Sequence, residues 1–375
     1  MKRLLITSTD LMMVQFLAPH VEYLSKRGFD IDVACSEVGG RFCEVEERLR
    51  PFVSNIFKVE LYRNPLELNN RNGLKELKNI IRTNHYDIIW TNEPVMGVMT
   101  RLASKSARKN GTKVLYMAHG FHFYNGAPLL NWLMFYPVER QMAKHADVIC
   151  TINKEDFNRA KTFNVPKVEY IHGIGINPDR LTINDESYSN IRFELGLKES
   201  DFLVLSVGEL NRNKNHKTIL RAIALLGDSS IHYIICGKGK NEAALREEAE
   251  KLEISSNVHF LGYRKDVVNI CHDSDLYVMP SFREGLPVSS LEAMYCGLPL
   301  VTSDIRGLQD VNMAGRNGLL CKPNDANKFA ENIKILKEDK ELQNRMRTNN
   351  ISDVVPFTLN NTLKEVENLL NSILC

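Results

Sequence analysis

The sequence predicts an α/β protein with two doubly wound, Rossmann-like domains. Strand-like and helix-like segments alternate along the chain, which is typical of parallel sheets covered by helices on both faces. The alternation breaks once, at residues 173–190, where glycines, a proline and a polar stretch predict a hinge between domains. The length of 375 residues also exceeds one typical core and suits two domains.

The N-terminal domain is expected to span residues 1–178. Its strand candidates are the apolar runs 3–8, 30–35, 87–91, 113–118, 147–151 and 168–171. Helices are expected at 16–27, 73–84, 95–110, 131–144 and 155–163.

The C-terminal domain is expected to span residues 191–356. Its strand candidates are 202–207, 233–236, 258–261, 276–279, 300–302 and 318–321. Its helices are expected at 216–226, 242–252, 265–272, 288–295, 326–336 and 340–348. A last helix, at about 359–374 within the segment 357–375, follows when this second sheet is already complete.

The charge of the chain is nearly balanced, with 48 basic and 46 acidic residues, so it gives no indication of nucleic-acid binding. Residues 1–178 are more basic, with 24 Lys and Arg against 18 Asp and Glu. This asymmetry favours contact of the first domain with an anionic membrane or a phosphorylated lipid. The alternative is a harmless spread of charge over a large surface.

The cysteines and the apolar runs indicate the cellular compartment of the protein and its relation to the membrane. Eight cysteines are scattered without a C-x-x-C pair, which is typical of buried thiols in a reducing compartment. The first ten residues turn polar after three apolar positions and predict a strand, not a signal peptide. No run approaches the roughly 18 apolar residues of a spanning helix. We therefore expect a cytoplasmic protein, with any membrane association peripheral and at the inner face of the cell membrane.

Known cofactor motifs are missing from the sequence. The glycine-rich segment 237–242 follows a strand but has Glu242 where the dinucleotide fingerprint needs a third glycine. An H-E-x-x-H pair, an EF-hand loop and a Walker A motif do not occur. The sequence therefore disfavours a nicotinamide dehydrogenase, and we expect neither a cofactor nor a metal.

Two glutamates, Glu284 and Glu292, stand eight positions apart around the turn 285–287. Pro287 suits the first turn of a helix, whose free N–H groups would face the carboxyl end of the preceding strand. Open α/β sheets bind phosphate-bearing ligands there, and two carboxylates would suit a ligand rich in hydroxyl groups. The alternative is a helix cap followed by a solvated surface charge.

A second site follows the strand 202–207. Gly208 turns the chain, and Arg212 and Lys214 stand just before the next helix. Two cations at this place would bind a diphosphate and stabilise the charge that develops when a bond to it breaks. An exposed polar loop is the alternative.

A third site is His119, at the carboxyl end of the strand 113–118. A histidine at this place is positioned for a ligand-binding cleft, or else it hydrogen-bonds a turn. The apolar, aromatic-rich segment 129–136 follows soon after. That segment would enter a bilayer or grip a polyprenyl chain, unless it belongs to the core.

Together these segments resemble the retaining GT-B glycosyltransferases of family four. The run 280–287 with Glu284 and Glu292 resembles their E-x7-E signature. The basic loop resembles their phosphate loop, except that Glu209 stands where an arginine is usual. The run 119–128 resembles the enzymes of bacterial exopolysaccharide and capsule biosynthesis. The resemblance implies two Rossmann-like domains with a cleft between them and a C-terminal helix that crosses back onto the first domain.

The resemblance also implies an activity. A hexose or N-acetylhexosamine would move from a UDP-sugar to a polyprenyl-diphosphate-linked saccharide, with its anomeric configuration retained and without a metal. The leaving diphosphate would take the acceptor proton, so that no protein base is needed. A UDP-sugar 2-epimerase of the same fold and a non-catalytic nucleotide-sugar-binding protein are the alternatives.

Residue roles follow from the same resemblance. The donor would be bound by Gly208, Arg212, Lys214, Glu284, Gly285, Leu286, Pro287 and Glu292. Arg212 and Lys214 would stabilise the diphosphate, Glu284 would orient the sugar, and Glu292 would hold the ribose. His119 and Glu284 would be the catalytic residues. The acceptor side would be formed by Phe121, His122, Tyr124 and Asn125.

Overall fold

The structure is a computed structural model that describes residues 2–182 and 190–374. The chain forms two compact units. Unit 1 contains the chain up to Ile174 together with the segment from Asn360, and unit 2 contains Gly175–Leu359. Of the predicted hinge at 173–190, residues 183–189 lie outside the described residues.

Thirteen strands are present in the described residues. They are β1 (Lys2–Thr9), β2 (Phe29–Ser36), β3 (Asn55–Lys58), β4 (Ile88–Asn92), β5 (Lys113–Ala118), β6 (Val148–Thr151), β7 (Lys167–Tyr170), β8 (Phe202–Val207), β9 (Ile231–Cys236), β10 (Val258–Gly262), β11 (Leu276–Met279), β12 (Leu300–Ser303) and β13 (Gly318–Cys321).

The α-helices of the described residues alternate with these strands. They are α1 (Asp10–Met12), α2 (Ala18–Lys26), α3 (Phe42–Leu49), α4 (Asn70–Asn84), α5 (Pro94–Ala103), α6 (Lys105–Lys109), α7 (Leu129–Ala143), α8 (Lys154–Ala160), α9 (Ile191–Glu194), α10 (His216–Leu226), α11 (Glu242–Lys251), α12 (Val267–Asp273), α13 (Val288–Tyr295), α14 (Ala326–Glu338), α15 (Lys340–Asp353) and α16 (Leu359–Leu374). A π-helix, Met13–Leu17, joins α1 to α2.

Unit 1 is built on a sheet of seven parallel strands in the order β3-β2-β1-β4-β5-β6-β7. Central positions such as Leu5 and Ile89 are fully buried, because the strands of a doubly wound sheet are covered on both faces. The chain runs outward from β1 to β3 and then crosses to β4. The strand order therefore reverses between β1 and β4, and ligands bind outside the carboxyl ends of strands at such a point.

The last helix, α16, packs on unit 1. It buries an apolar stripe along its length. The Tyr23 hydroxyl donates a hydrogen bond to Glu367 at 2.7 Å, and the backbone N–H of His172 donates to Glu365 at 2.9 Å. The predicted return of the terminal helix to the first domain is confirmed.

Unit 2 is built on a sheet of six parallel strands in the order β10-β9-β8-β11-β12-β13. One apolar cluster includes Phe329 and Ile333 of α14, and another includes Leu291 and Met294 of α13. The strand order reverses between β8 and β11. The ends of these two strands are therefore the expected ligand-binding edge.

Strand β3 and helices α3 and α9 were not among the predicted elements, and one predicted helix is divided in two. Strand β3 was not predicted, because Asn55–Lys58 contains only two apolar residues and lies exposed or half-buried at the sheet edge. The helix predicted at 95–110 is divided into α5 and α6 at Ser104. The Ser104 hydroxyl donates to the carbonyl of Thr100 at 2.7 Å, a bond that competes with regular helix geometry.

The cysteines agree with the sequence prediction. Those in the described residues are free thiols, and all of them except Cys43 are buried. Cys150 and Cys236 lie within strands, as predicted. Within residues 2–182 and 190–374, no helix has the length and apolar character needed to cross a membrane.

Candidate active site

A lysine and a glutamate from different loops of unit 2 form an ion pair at the carboxyl edge of its sheet. Lys214 follows β8 and Glu284 follows β11, the two strands between which the strand order reverses. Lys214 Nζ donates to Glu284 Oε1 at 2.8 Å, and the two side chains are 21% and 13% exposed. The structure therefore brings together two residues that the sequence predicted to act on one ligand.

Asparagines hold the two loops of this pair at a fixed separation. Asn213 Nδ2 donates to the carbonyl of Arg283 at 2.9 Å, and the backbone N–H of Phe282 donates to the carbonyl of Asn213 at 2.9 Å. Asn215 adopts a left-handed conformation with φ of 53°, and its amide donates to the carbonyl of Pro280 at 3.0 Å. Because these bonds do not involve the ion pair, the loops are positioned independently of it.

Two glycines allow the loops of unit 2 to pack in backbone contact. A Cβ atom at Gly237 would lie 1.8 Å from the carbonyl oxygen of Gly208. A Cβ atom at Gly239 would lie 2.4 Å from the carbonyl oxygen of Leu210. The glycine-rich segment 237–242 therefore supports the loop after β8.

Helix α13 begins directly after Pro287, at the carboxyl end of β11. No described side chain caps this helix. The N–H groups of Val288 and Ser289 are therefore available to a ligand, whereas that of Ser290 donates to the carbonyl of Pro287 at 3.1 Å. Ser289 in that turn is fixed in place, because it accepts a hydrogen bond from Tyr277 at 2.8 Å and donates to the carbonyl of Val207 at 3.2 Å. The positive end of the helix dipole therefore lies at the carboxyl edge of the sheet.

Glu292 lies on the second turn of α13 and is half-buried. Burial raises the pKa of its carboxyl group to about 7, with a further increase from Cys296 and an opposing effect of Arg180. No described residue donates a hydrogen bond to this carboxylate. A ligand hydroxyl that donates to it would favour the ionised form.

Arg212, the other predicted cation of the loop after β8, is exposed. Glu209 is also exposed and accepts a hydrogen bond from Asn211 Nδ2 at 2.9 Å. Asn211 in turn accepts from the backbone N–H of Lys214 at 3.0 Å. The loop therefore places Lys214, and not Arg212, in the partly buried pair with Glu284.

Arg306 is a cation of this edge that the sequence reasoning missed. It is 6% exposed, and its Nε donates to the carbonyl of Glu284 at 3.3 Å. The neighbouring Gly307 has φ of 79°, and a Cβ atom there would lie 2.4 Å from the carbonyl oxygen of Gly285. Arg306 follows β12, so its position just after a predicted strand was the signal available in the sequence.

The positive charge of the unit 2 edge therefore comes from Lys214, Arg306, the exposed Arg212 and the start of α13. These groups together favour an anionic ligand such as a phosphate. In the described part of the chain, no group of three or more His, Cys, Asp and Glu side chains is arranged to hold a metal ion.

In unit 1, His119 follows β5 at the carboxyl edge of the sheet. Its Nε2 lies 2.9 Å from Oδ1 of Asn92, the fully buried last residue of β4. Burial lowers the pKa of His119 to about 4, with a further decrease from His20 and an opposing effect of Glu93. The imidazole is therefore neutral at pH 7. The sequence reasoning predicted His119 and missed Asn92.

Glu93 links the ends of β1 and β4, where the strand order of unit 1 reverses. Its φ of 65° is unusual for a residue other than glycine. Its carboxylate accepts from the backbone N–H of Thr9 at 2.7 Å and from the Ser8 hydroxyl at 3.0 Å, and Arg63 lies 3.5 Å away. A residue in this conformation persists only where its surroundings determine it, as these bonds do.

The predicted acceptor-side residues lie in the loop between β5 and α7. Phe121 is 3% exposed and its ring stacks on Phe123 at 4.9 Å, so its side chain supports the loop from the core. His122 and Tyr124 are half-buried, and Asn125 is exposed. Helix α8 fixes the loop by accepting hydrogen bonds from the backbone N–H groups of Phe121 and Asn125 at 2.9 and 2.6 Å.

Two family profiles match the chain. The profile described as Glycosyltransferase Family 4 matches residues 15–180. The profile described as Glycosyl transferases group 1 matches residues 187–353. Each match falls almost entirely within one of the two units.

Relatives of the chain are also named as glycosyltransferases. EpsD of Bacillus subtilis strain 168, provisionally named a glycosyltransferase, is 34% identical over 99% of this chain and 97% of its own length. The Escherichia coli protein named UDP-Gal:alpha-D-GlcNAc-diphosphoundecaprenol alpha-1,3-galactosyltransferase is 27% identical over 86% of this chain and 83% of its own. The Campylobacter jejuni protein named N,N'-diacetylbacillosaminyl-diphospho-undecaprenol alpha-1,3-N-acetylgalactosaminyltransferase is 27% identical over 57% of this chain and 61% of its own.

Solved structures show the same fold. Anabaena HepE (Alr3699) in complex with UDP has a TM-score of 0.80 at 19% identity, covering 99% of this chain and 100% of that one. Sucrose-phosphate synthase from Thermosynechococcus elongatus has a TM-score of 0.79 at 17% identity, covering 100% and 99%. With the full-length similarity to EpsD and the two profile matches, these findings show that the chain belongs to glycosyltransferase family four and is a GT-B glycosyltransferase of the bacterial exopolysaccharide type.

Proposed function

We propose that the protein is a retaining glycosyltransferase that moves a sugar from a UDP-sugar to a hydroxyl group of a lipid-linked saccharide in surface polysaccharide synthesis. The observation that carries the proposal is the partly buried Lys214–Glu284 pair beside the start of α13. The names of two relatives support the substrates, because both give diphosphate-lipid acceptors and α-linked products, and one gives a UDP-sugar.

On this proposal the donor binds along the carboxyl edge of unit 2. The diphosphate accepts hydrogen bonds from the first turn of α13, and its charge is balanced by Lys214 and by the exposed Arg212. Glu284, aligned by Lys214, accepts hydrogen bonds from sugar hydroxyls. Glu292 accepts from the ribose hydroxyls, since its carboxylate has no described donor of its own.

The chemistry needs charge stabilisation more than a protein base. When the bond between the anomeric carbon and the phosphate oxygen breaks, negative charge grows on that oxygen, where Lys214 and the helix N–H groups stabilise it. The acceptor oxygen forms its bond to the anomeric carbon on the same face. The departing phosphate oxygen takes the acceptor proton. Because protein groups balance the charge, we expect activity to persist in the presence of a chelator.

The outer face of α7 is the proposed contact with the inner face of the cell membrane. Trp132 and Tyr136 on this helix pack on the ring of Phe123, so they belong to the core of unit 1. The exposed apolar side chains of the helix are Leu129 (73%), Leu130 (63%), Leu133 (67%), Met134 (42%) and Val138 (43%). A lipid-linked acceptor and the basic character of residues 1–178 both favour a membrane as the occupant of this face.

An assay with and without an acceptor tests the activity. The purified protein is incubated with UDP-glucose, UDP-galactose and their N-acetylated forms, each with or without a polyprenyl-diphosphate-linked sugar. We expect UDP release that depends on the acceptor, and a product that keeps the anomeric configuration of the donor. Formation of an epimerised sugar without acceptor would identify a 2-epimerase, and binding of UDP without turnover would identify a nucleotide-sugar sensor.

Flotation with liposomes tests the membrane contact. We expect the protein to float with anionic liposomes at low salt, and the double variant Leu130→Gln, Leu133→Gln to float less. Leu225→Gln is the matched control, because Leu225 is also exposed, at 57%, but lies in unit 2. Equal flotation of both variants would show that α7 does not contact the membrane.

A further inference from the structure

We propose that Asn92 is a positioning residue that holds His119 in the tautomer protonated on Nε2, so that Nδ1 accepts a hydrogen bond from a sugar hydroxyl. The inference rests on the proposed function and adds the chemical group that His119 recognises.

The orientation of the Asn92 amide is fixed by its second partner. Asn92 is fully buried, and its Nδ2 donates to the carbonyl oxygen of Thr7 on the adjacent strand β1 at 3.3 Å. A carbonyl oxygen is an acceptor only, so the NH2 group of the amide must face it. The reversed amide would place two acceptors against each other in a buried site, which costs free energy.

The amide oxygen that remains fixes the protonation of the imidazole. Asn92 Oδ1 lies 2.9 Å from Nε2 of His119, and an amide oxygen only accepts. Nε2 must therefore carry a hydrogen. A neutral imidazole has one N–H group, so Nδ1 presents a lone pair.

The neutral form follows from the surroundings of His119. Burial keeps the pKa of His119 at about 4. Among the described residues, Glu93 and His20 are the charged and titratable groups that shift the pKa of the ring, Glu93 upward and His20 downward. The Glu93 carboxylate is occupied by Ser8 and Thr9, and His20 Nε2 lies 3.0 Å from the carbonyl of Ile174.

Nδ1 is left for a ligand. No described residue forms a hydrogen bond to it, and His119 as a whole is half-buried at the carboxyl edge of unit 1. A lone pair at this place attracts a donor, such as a hydroxyl group, and repels an acceptor such as a phosphate oxygen. The group that contacts His119 is therefore a sugar hydroxyl and not the diphosphate.

Nitrogen NMR of the full-length, ligand-free protein at pH 7 tests the tautomer directly. The His119 signals are assigned by their loss in His119→Gln. We expect the proton on Nε2 and an unprotonated Nδ1. A proton on Nδ1 would overturn the inference, whether or not the protein transfers a sugar, so this result is separate from the fate of the proposed function.

Asn92→Asp gives a second test through activity. A carboxylate opposite Nε2 favours the charged imidazolium, in which Nδ1 becomes a donor. The ratio of variant to wild-type kcat/KM should therefore be lower at pH 7 than at pH 9, by about tenfold for each pH unit by which the raised pKa of His119 exceeds 7. The ratio is used because Glu292, with its pKa of about 7, affects the pH profile of both proteins in the same range.

The control is Asn110→Asp, which adds the same charge at an exposed position of unit 1 and should keep the wild-type pH profile. A loss in Asn92→Asp that is equal at all pH values would show a structural role only and would contradict the inference. If Asn92→Asp does not fold by circular dichroism, the NMR experiment on the wild type decides alone.

Discussion

Lys214 and Glu284 are 70 residues apart in the chain, and their side chains meet at 2.8 Å. The loops that carry them are already joined by the bonds of Asn213 and Asn215, so the ion pair is not needed to hold these loops together. The pair is also mostly withdrawn from solvent, which strengthens its interaction with any third charge. Its removal should therefore affect ligand binding more than folding.

Lys214→Ala should weaken binding of UDP by about tenfold or more. The variant loses a charge-assisted hydrogen bond of roughly 1.5–3 kcal/mol to the diphosphate, and it leaves the Glu284 carboxylate facing that anion. Isothermal titration with UDP measures the effect. The control is Lys334→Ala, because Lys334 is 64% exposed and lies 3.8 Å from Glu338 on the surface of α14. An unchanged UDP affinity in Lys214→Ala would show that Lys214 does not bind the diphosphate.

Glu284→Gln should lower kcat on the order of 10–100-fold while the affinity for UDP stays within a few fold. The amide keeps the size of the side chain but loses the negative charge that aligns the sugar as its bond breaks. Steady-state kinetics and UDP titration separate the two effects. Glu250→Gln, at an exposed position of α11, should have normal kinetics. A loss of UDP binding that equals the loss of turnover would place Glu284 with the nucleotide instead.

Glu292→Gln should raise the melting temperature at pH 8 and leave it unchanged near pH 4.5. The pKa of Glu292 is raised from 4.5 to about 7, so the folded protein holds a proton that the unfolded chain releases between these values. Wild-type stability therefore falls as the pH rises through this window, and the amide removes that fall. We expect a difference of several degrees, at about 2–4 °C for each kcal/mol.

Thermal unfolding at several pH values measures this difference. The control is Glu250→Gln, because Glu250 is exposed on α11. Its melting temperature should follow the wild type at every pH. Parallel curves for Glu292→Gln and the wild type would show that Glu292 is ionised in the folded protein at neutral pH.

Gly237→Ala should destabilise unit 2 by about 1–3 kcal/mol or more and also weaken UDP binding. The added Cβ atom would lie 1.8 Å from the carbonyl oxygen of Gly208, so the loop before Lys214 must move. Gly227→Asn is the comparison, since a Cβ atom at Gly227 meets nothing within 4 Å and asparagine tolerates its φ of 58°. Melting curves with and without UDP test both parts. Normal UDP binding in Gly237→Ala would show that the Gly208 loop is not part of the donor site.

Much of the fold was predictable because buried parallel strands are short, continuous apolar runs. Strand β8, with five of its six residues buried, is such a run. Strand β3 is not, since a half-exposed edge strand needs few apolar residues. The order of the strands was not predictable, because no residue pattern states which strand lies beside which.

The residues of the candidate site could be selected one at a time from the sequence, but their arrangement could not. His119, Lys214 and Glu284 each follow a strand in the sequence, and that position marks them. Their partners depend on strand order. Asn92 meets His119 because β4 lies beside β5, and Arg306 meets the Glu284 loop because β12 lies beside β11. Arg212 as a phosphate contact stays a prediction.

Helix α16 follows the whole of unit 2 in the chain and yet belongs to unit 1. During synthesis, unit 2 is complete as a continuous segment while unit 1 still lacks the helix that covers Tyr23 and His172. Until that helix is made, the surface it covers is exposed to water and to other chains. Unit 1 can therefore fold completely only after unit 2 has been synthesised. A nascent chain interrupted before α16 contains all of unit 2 but a unit 1 that lacks its last helix.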